Sequence, residues 1–202
     1  MPFFIVGLPR SRTAWTATWL TTIPGVRCYH DGLRGVRSIE EYRAKLERPG
    51  LVGDCDSGLL LCWRQIEKLY PTSPWVVITR DPKAVTRSLA RLSVPSAREV
   101  AAKGFEELRA LSAAFPEERL LILASSDLDD PEAAERICAH IGAPFRVEHW
   151  RAFRPILIEA KLEELDDPLD AWLSFRKSLQ APDLPRAHSL ASRRSGEGPA
   201  SE

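Results

Sequence analysis

Two polar patches follow apolar runs in this sequence, and both carry side chains suited to binding an anion. The first patch, residues 7–13 (GLPRSRT), follows the apolar run FFIV. If a helix begins there, its free backbone amides and the positive end of its dipole favour an anion. Arg10, Ser11 and Thr13 add hydrogen-bond donors. The Gly-Lys-Ser/Thr of a Walker A loop is missing, which disfavours magnesium-dependent chemistry on nucleoside triphosphates. The alternative is a plain strand-to-helix turn with two solvated arginines.

The second patch begins at Arg80, directly after the apolar run WVVIT. Asp81 and Pro82 then predict a helix start, with the aspartate as N-cap and the proline at the first helical position. Ser88, eight residues after Arg80, falls on the second turn of that helix. Arg80 can donate two parallel hydrogen bonds to a phosphate, and Ser88 can add one. The alternative is that Arg80 pairs with an acid such as Asp81 while Ser88 packs against the sheet.

Apolar runs that alternate with helical patterns predict the elements that position these patches. Continuous apolar or β-branched runs predict buried strands at residues 3–8, 51–54, 75–79 and 119–124. Helical spacing and capping residues predict helices at 10–20, 38–48, 57–70, from 82 onward, and at 96–115, 131–141, 150–153 and 169–179. The rest of 27–49 is predicted to be loop. This alternation predicts an α/β fold of parallel βαβ units, whose ligands bind beyond the carboxyl ends of the strands.

The composition fits a single globular domain, which we expect over residues 1–181 of the 202, followed by a disordered tail over 182–202. Lysine plus arginine number 28, as do aspartate plus glutamate, so no excess charge favours nucleic acid. No apolar run approaches the roughly 20 residues of a membrane span, and no signal peptide is recognisable. The four cysteines lack metal-binding spacing and predict a reducing cytoplasm.

Together the two patches resemble the nucleotide-binding signature of the sulfotransferases, which use 3′-phosphoadenosine 5′-phosphosulfate (PAPS). The family's 5′-phosphosulfate loop, PKSGTTW or PRSGTT, is matched by residues 9–15 (PRSRTAW). Its 3′-phosphate motif, a strand ending in arginine with a serine eight residues on, is matched by VVITRDPKAVTRS. The segment SSDLDDPEAAERICAHIGAPF resembles the EDL…DPEA…LCxFLG helix of bacterial members. The resemblance implies a three-layer α/β/α fold with a central, mostly parallel sheet, like that of the P-loop nucleoside triphosphate hydrolases.

The resemblance also implies a role for each matched residue. Arg10 would stabilise the charge on the bridging oxygen, the loop would hold the 5′-phosphate, and Trp15 would contact adenine. Trp15 and Trp19 are spaced equally well for a helix core. Arg12 replaces the family's loop glycine, which changes the loop backbone if that glycine has a positive φ. The implied nucleotide-binding set is Pro9, Arg10, Ser11, Arg12, Thr13, Ala14, Trp15, Arg80 and Ser88.

The catalytic base has several candidates. Related enzymes with a PRSGTT loop carry a catalytic glutamate after the first helix, where this chain has His30 and Asp31. His30 is the natural base near neutral pH, and Asp31 is either the base or the group that orients His30. Asp54 and Asp56, which follow another strand, are rival bases.

The reaction implied is transfer of a sulfuryl group from PAPS to a hydroxyl or amine of a small molecule, with no metal. Two alternatives stay open. One is a P-loop kinase-like phosphotransferase. The other is a non-catalytic member of the fold that binds a nucleotide or a protein partner.

Overall fold

The computed structural model describes residues 1–94 and 96–158. Strands and helices alternate along this part of the chain. The strands are β1 (Phe3–Gly7), β2 (Val26–His30), β3 (Leu51–Cys55), β4 (Trp75–Thr79) and β5 (Leu120–Ala124). The helices are α1 (Thr13–Thr21), α2 (Ile39–Leu46), α3 (Trp63–Leu69), α4 (Pro82–Arg91), α5 (Ala97–Ala114), α6 (Pro131–Ile141) and α7 (Val147–Phe153).

The strands form one parallel sheet in the order β2-β3-β1-β4-β5. Strand β1 is central, and its Ile5 is in register with Cys55 of β3 and Val76 of β4. Strands β2 and β3 lie on one side of β1 in the sheet, and strands β4 and β5 lie on the other. Because the strands are parallel, their carboxyl ends meet at one edge, and the loops that follow them lie together there.

The two faces of the sheet pack into separate cores, which gives the three layers expected from the sequence. Phe4 and Val6 of β1 face helices α2, α3, α4 and α5. Phe3 and Ile5 face helices α1, α6 and α7. Strands β1 and β4 read as continuous apolar runs because both of their faces are buried.

Two aspartate–proline pairs begin helices, as predicted. The side chain of Asp81 accepts hydrogen bonds from the amides of Lys83 and Ala84 at the start of α4. Asp130 accepts one from the amide of Glu132 at the start of α6. In each case proline occupies the first turn, where its missing amide costs nothing.

The loop prediction for residues 27–49 is wrong at its start, where β2 forms the edge of the sheet. Val26 and Cys28 are buried against α1, whereas Arg27 and His30 are exposed. An edge strand that buries only one face can carry polar residues at alternate positions, so its apolar signal is weak. The helix predicted over 57–70 is also interrupted: a 3₁₀ turn (Ser57–Leu61) precedes α3.

The helix predicted at 169–179 and the tail predicted from 182 lie outside the described residues, so the domain boundary stays a prediction. Among residues 1–94 and 96–158, no helix combines the length and the apolar character needed to cross a bilayer.

Candidate functional site

The loop between β1 and α1 has an unusual backbone. Arg10 and Arg12 have φ angles of 70° and 65°, in the left-handed region that favours glycine. The amide of Ser11 donates to the carbonyl of Leu8 and tightens the turn between them. Arg12 therefore keeps a left-handed conformation at the position where the family motif has glycine.

This loop presents hydrogen-bond donors without acceptors. The first amides of helix α1, which begins at Thr13, have no intrahelical partners, as in any helix, and among the described residues no N-cap side chain accepts from them. The Ser11 side chain is fully buried, yet its hydroxyl has no hydrogen-bond partner in this part of the structure. Buried polar groups are normally paired, so an unpaired hydroxyl beside free helix amides is the arrangement expected of an anion site.

Gly7 allows the loop to leave the sheet close to β4. A Cβ atom at this position would lie 2.8 Å from the carbonyl oxygen of Ile78 and 3.3 Å from Cβ of Ser11. Any side chain here would push the loop away from the end of β4. The glycine thus sets the distance between the loop and Arg80.

Arg80 and Ser88 converge on the loop from β4 and α4. The guanidinium of Arg80 donates to the carbonyl of Arg10, and Nε of Arg10 donates to the hydroxyl of Ser88 over 3.2 Å. Asp81 caps α4 and makes no ion pair with Arg80 in the part of the chain that the structure describes. The two sequence patches are therefore one site in space.

The charge in this site is not neutralised. Within the described ranges, neither Arg10 nor Arg80 forms an ion pair with a carboxylate. Arg12 differs, because its guanidinium pairs with Asp129 at 3.0 Å. Two guanidinium groups without a described carboxylate partner, together with hydroxyls and helix amides at the carboxyl edge of a parallel sheet, favour a ligand with more than one phosphate.

His30 and Asp31 form a pair at the end of β2. Nδ1 of His30 lies 3.4 Å from Oδ2 of Asp31, and both side chains are about one-third exposed, at 32% and 33%. Strand β3 separates β2 from β1, so His30 lies two strand spacings, about 10 Å, from β1. No contact joins the pair to the phosphate loop among the described residues. A molecule bound between them could reach both.

Asp54 and Asp56 lie beneath this pair and are buried. Asp54 accepts hydrogen bonds from the amide of Gly32 at 3.0 Å and from the hydroxyl of Tyr42 at 2.6 Å. Asp56 accepts from the amide of Leu33 at 3.4 Å. Both carboxylates therefore hold the turn that follows His30 and Asp31.

Burial dominates the protonation of these two carboxylates. It raises the pKa of Asp54 to about 7, although the hydrogen bonds from Tyr42 and Gly32 act in the opposite direction. Burial and the nearby charges of Asp54 and Asp31 raise the pKa of Asp56 well above its usual value. The sequence places Asp54 and Asp56 near the site, but it gives no signal for the contacts of Tyr42 and Gly32.

Trp15 lies in the core rather than on the surface of the site. It is 5% exposed, and its ring centroid is 5.8 Å from that of Trp19 and 5.5 Å from that of Phe153. The guanidinium carbon of Arg12 lies 4.5 Å from the centroid of the Trp15 ring. A ring buried to this extent leaves little area for a base to stack on, and the adenine contact stays a prediction. The remaining loop residues, Pro9, Thr13 and Ala14, are half-buried or buried.

No protein-family model matches the chain, and no curated protein matches it by sequence. Solved structures do match. The sulfotransferase domain from the curacin biosynthetic pathway is 14% identical, with a TM-score of 0.59 over 91% of this chain and 93% of that chain. The sulfotransferase domain from the Synechococcus PCC 7002 olefin synthase is 17% identical, with a TM-score of 0.59 over 92% and 96%. Mouse sulfotransferase SULT7A1, complexed with PAP, is 15% identical, with a TM-score of 0.51 over 76% and 62%.

These likenesses extend over most of the chain, and the described part has the strand-and-helix layering that the sequence predicts. The expected three-layer, P-loop-like α/β architecture is confirmed. The chain has the fold of the sulfotransferases.

Proposed function

We propose that this protein transfers a sulfuryl group from PAPS to a hydroxyl or amine of a small molecule. The observation that carries the proposal is the convergence of Arg10, Arg80 and Ser88 beside Ser11, whose hydroxyl has no partner among the described residues. A donor with phosphates at both its 3′ and 5′ positions suits two groups of anion ligands that lie side by side. The mouse neighbour's complex with PAP supports a nucleotide of this kind.

Each end of the donor has its own ligands in this proposal. Arg80 and Ser88 bind the 3′-phosphate, because a guanidinium and a hydroxyl together match its oxygens. The amides at the start of α1 and the hydroxyls of Ser11 and Thr13 bind the 5′-phosphate. Arg10 uses only Nε toward Ser88, so its remaining N–H groups can reach the bridging oxygen.

The transfer step needs charge stabilisation and a proton acceptor. The acceptor's oxygen or nitrogen forms a bond to sulfur as the bond from sulfur to the 5′-phosphate oxygen breaks, and PAP leaves with the electron pair. Arg10 stabilises the charge on that oxygen. His30 takes the acceptor's proton at Nε2, because the Asp31 carboxylate, 3.4 Å from Nδ1, favours a proton on Nδ1 and leaves Nε2 free to accept one. Asp54 and Asp56 are too buried to reach an acceptor and act by holding the turn at Gly32 and Leu33.

The step requires no metal, and the partner is a small-molecule acceptor. The four cysteines are free and buried, which fits the cytoplasmic location expected from the sequence.

The test measures conversion of PAPS to PAP with 2-naphthol as a hydroxyl acceptor and 2-naphthylamine as an amine acceptor. His30→Gln should lower turnover by about 10²- to 10⁴-fold, the usual contribution of a general base. Its affinity for PAP should be unchanged, because His30 does not contact the phosphate loop. His149→Gln, a half-buried histidine in α7, is the matched control and should keep full activity.

Three outcomes would contradict parts of the proposal. Equal turnover in wild type and His30→Gln would remove the base. Binding of PAP without any turnover would favour the non-catalytic alternative. Transfer of phosphate from ATP with magnesium would favour the phosphotransferase.

A further inference from the structure

A cleft of about 400 Å³ opens between strand β4 and helix α5. Val77 and Thr79 form its floor. Phe105, Leu108 and Ser112 of α5 form its wall, since side chains spaced by three and four residues share one helix face. Helix α5 leaves the neighbouring strand uncovered on this face, because Ile122, the register partner of Val77, is 47% exposed.

The cleft combines apolar walls with positive charge. Phe105, which is 39% exposed, supplies apolar surface beside the buried Val77 and Leu108, and Arg80 and Arg109 supply guanidinium groups. Among residues 1–94 and 96–158, Arg109 has no ion pair, and the nearby Glu107 is turned instead to Arg64 and the indole of Trp63. Within the described part of the chain, Arg80 donates only to the carbonyl of Arg10. No described carboxylate neutralises the two arginines of the cleft.

We infer that this cleft binds a small anion with an apolar body, such as an aliphatic or aromatic carboxylate. The apolar body packs against Phe105, and the volume falls within the range of small-molecule sites. The carboxylate pairs with Arg109 in the bidentate geometry that guanidinium favours. The hydroxyl of Thr79 is already used as a donor to the carbonyl of Leu123, which leaves Ser112 as the donating hydroxyl.

The experiment uses the full chain and octanoate as the probe, with octanol as its uncharged counterpart. Binding is measured by ligand-detected NMR without nucleotide. We expect octanoate to bind at least tenfold more tightly than octanol, because only the carboxylate pairs with a guanidinium. Arg109→Gln should remove this preference, whereas Arg98→Gln, an exposed arginine of the same helix outside the cleft, should keep it.

A second pair of variants tests the place of binding. Ala113→Leu fills the cleft and should weaken octanoate binding, whereas Ala114→Leu, on the exposed next residue, should not. Equal affinities for octanoate and octanol, or equal losses in Arg109→Gln and Arg98→Gln, would overturn the inference. Because no nucleotide is present, this result is independent of the proposed sulfuryl transfer.

Discussion

Arg12 provides a sharp test of the phosphate loop, because it occupies a left-handed position without being glycine. Its φ of 65° is unfavourable for any residue with a Cβ atom. Two side-chain contacts offset this cost: the ion pair with Asp129 at 3.0 Å and the packing of the guanidinium on Trp15 at 4.5 Å. Replacing Arg12 by alanine and by glycine separates these effects, since both variants lose the contacts but only glycine relieves the backbone.

The expected magnitudes follow from these contacts. The partly exposed ion pair contributes about 0.5 kcal/mol, and the guanidinium over the indole contributes about 0.5 kcal/mol. Arg12→Ala should therefore lower the free energy of unfolding by about 1 kcal/mol. In Arg12→Gly, relief of the left-handed backbone strain raises the free energy of unfolding by about 1–2 kcal/mol. The greater freedom of glycine in the unfolded chain lowers it by about 0.5–1 kcal/mol. Glycine should thus be more stable than alanine by about 0.5–1 kcal/mol.

Urea unfolding followed by circular dichroism measures this difference, provided that the slope m is the same in both variants. Arg136, an exposed residue inside helix α6, is the matched control. There the order should reverse, with glycine about 1 kcal/mol less stable than alanine. If alanine were as stable as glycine at position 12, the left-handed loop backbone would be refuted.

Two further predictions concern the turn after β2. Burial raises the pKa of Asp54 to about 7 in the folded state, whereas its pKa in the unfolded chain is about 3.9. At a pH between these two pKa values, Asp54 is protonated in the folded protein and ionised in the unfolded chain. Its contribution to stability is full below pH 4 and is lost as the pH rises through 7. Asp54→Asn should flatten this part of a stability–pH curve from urea unfolding, and an unchanged slope would contradict it. Gly32→Ala would place a methyl group 2.5 Å from the Asp54 carboxylate and should cost about 2 kcal/mol in the same assay. A neutral effect would contradict the packing of this turn.

Several features of the fold are predictable from the sequence because their causes are local. Strands β1 and β4 are continuous apolar runs, since both faces are covered. The starts of α4 and α6 follow from Asp-Pro pairs. Arg80 and Ser88 share a site because a strand end and the next helix fix their separation.

Other features depend on contacts that no local pattern reports. Strand β2 buries only one face. Polar residues therefore interrupt its apolar pattern, and the sequence does not predict the strand. The hydrogen bond between Tyr42 and Asp54 joins a helix to a strand end and is set by tertiary packing. The left-handed backbone of Arg12 contradicts the local preference of its residue type, so the sequence does not predict it.

Isothermal titration with PAP in the presence of EDTA measures whether the protein binds a nucleotide with 3′- and 5′-phosphates without magnesium. Arg80→Ala removes two charge-assisted hydrogen bonds and should weaken binding by roughly 100-fold, about 3 kcal/mol. Arg87→Ala, an exposed arginine beside Ser88, is the matched control and should bind like wild type. PAP binding that requires magnesium, or equal affinities in Arg80→Ala and wild type, would contradict a magnesium-independent nucleotide site at Arg80.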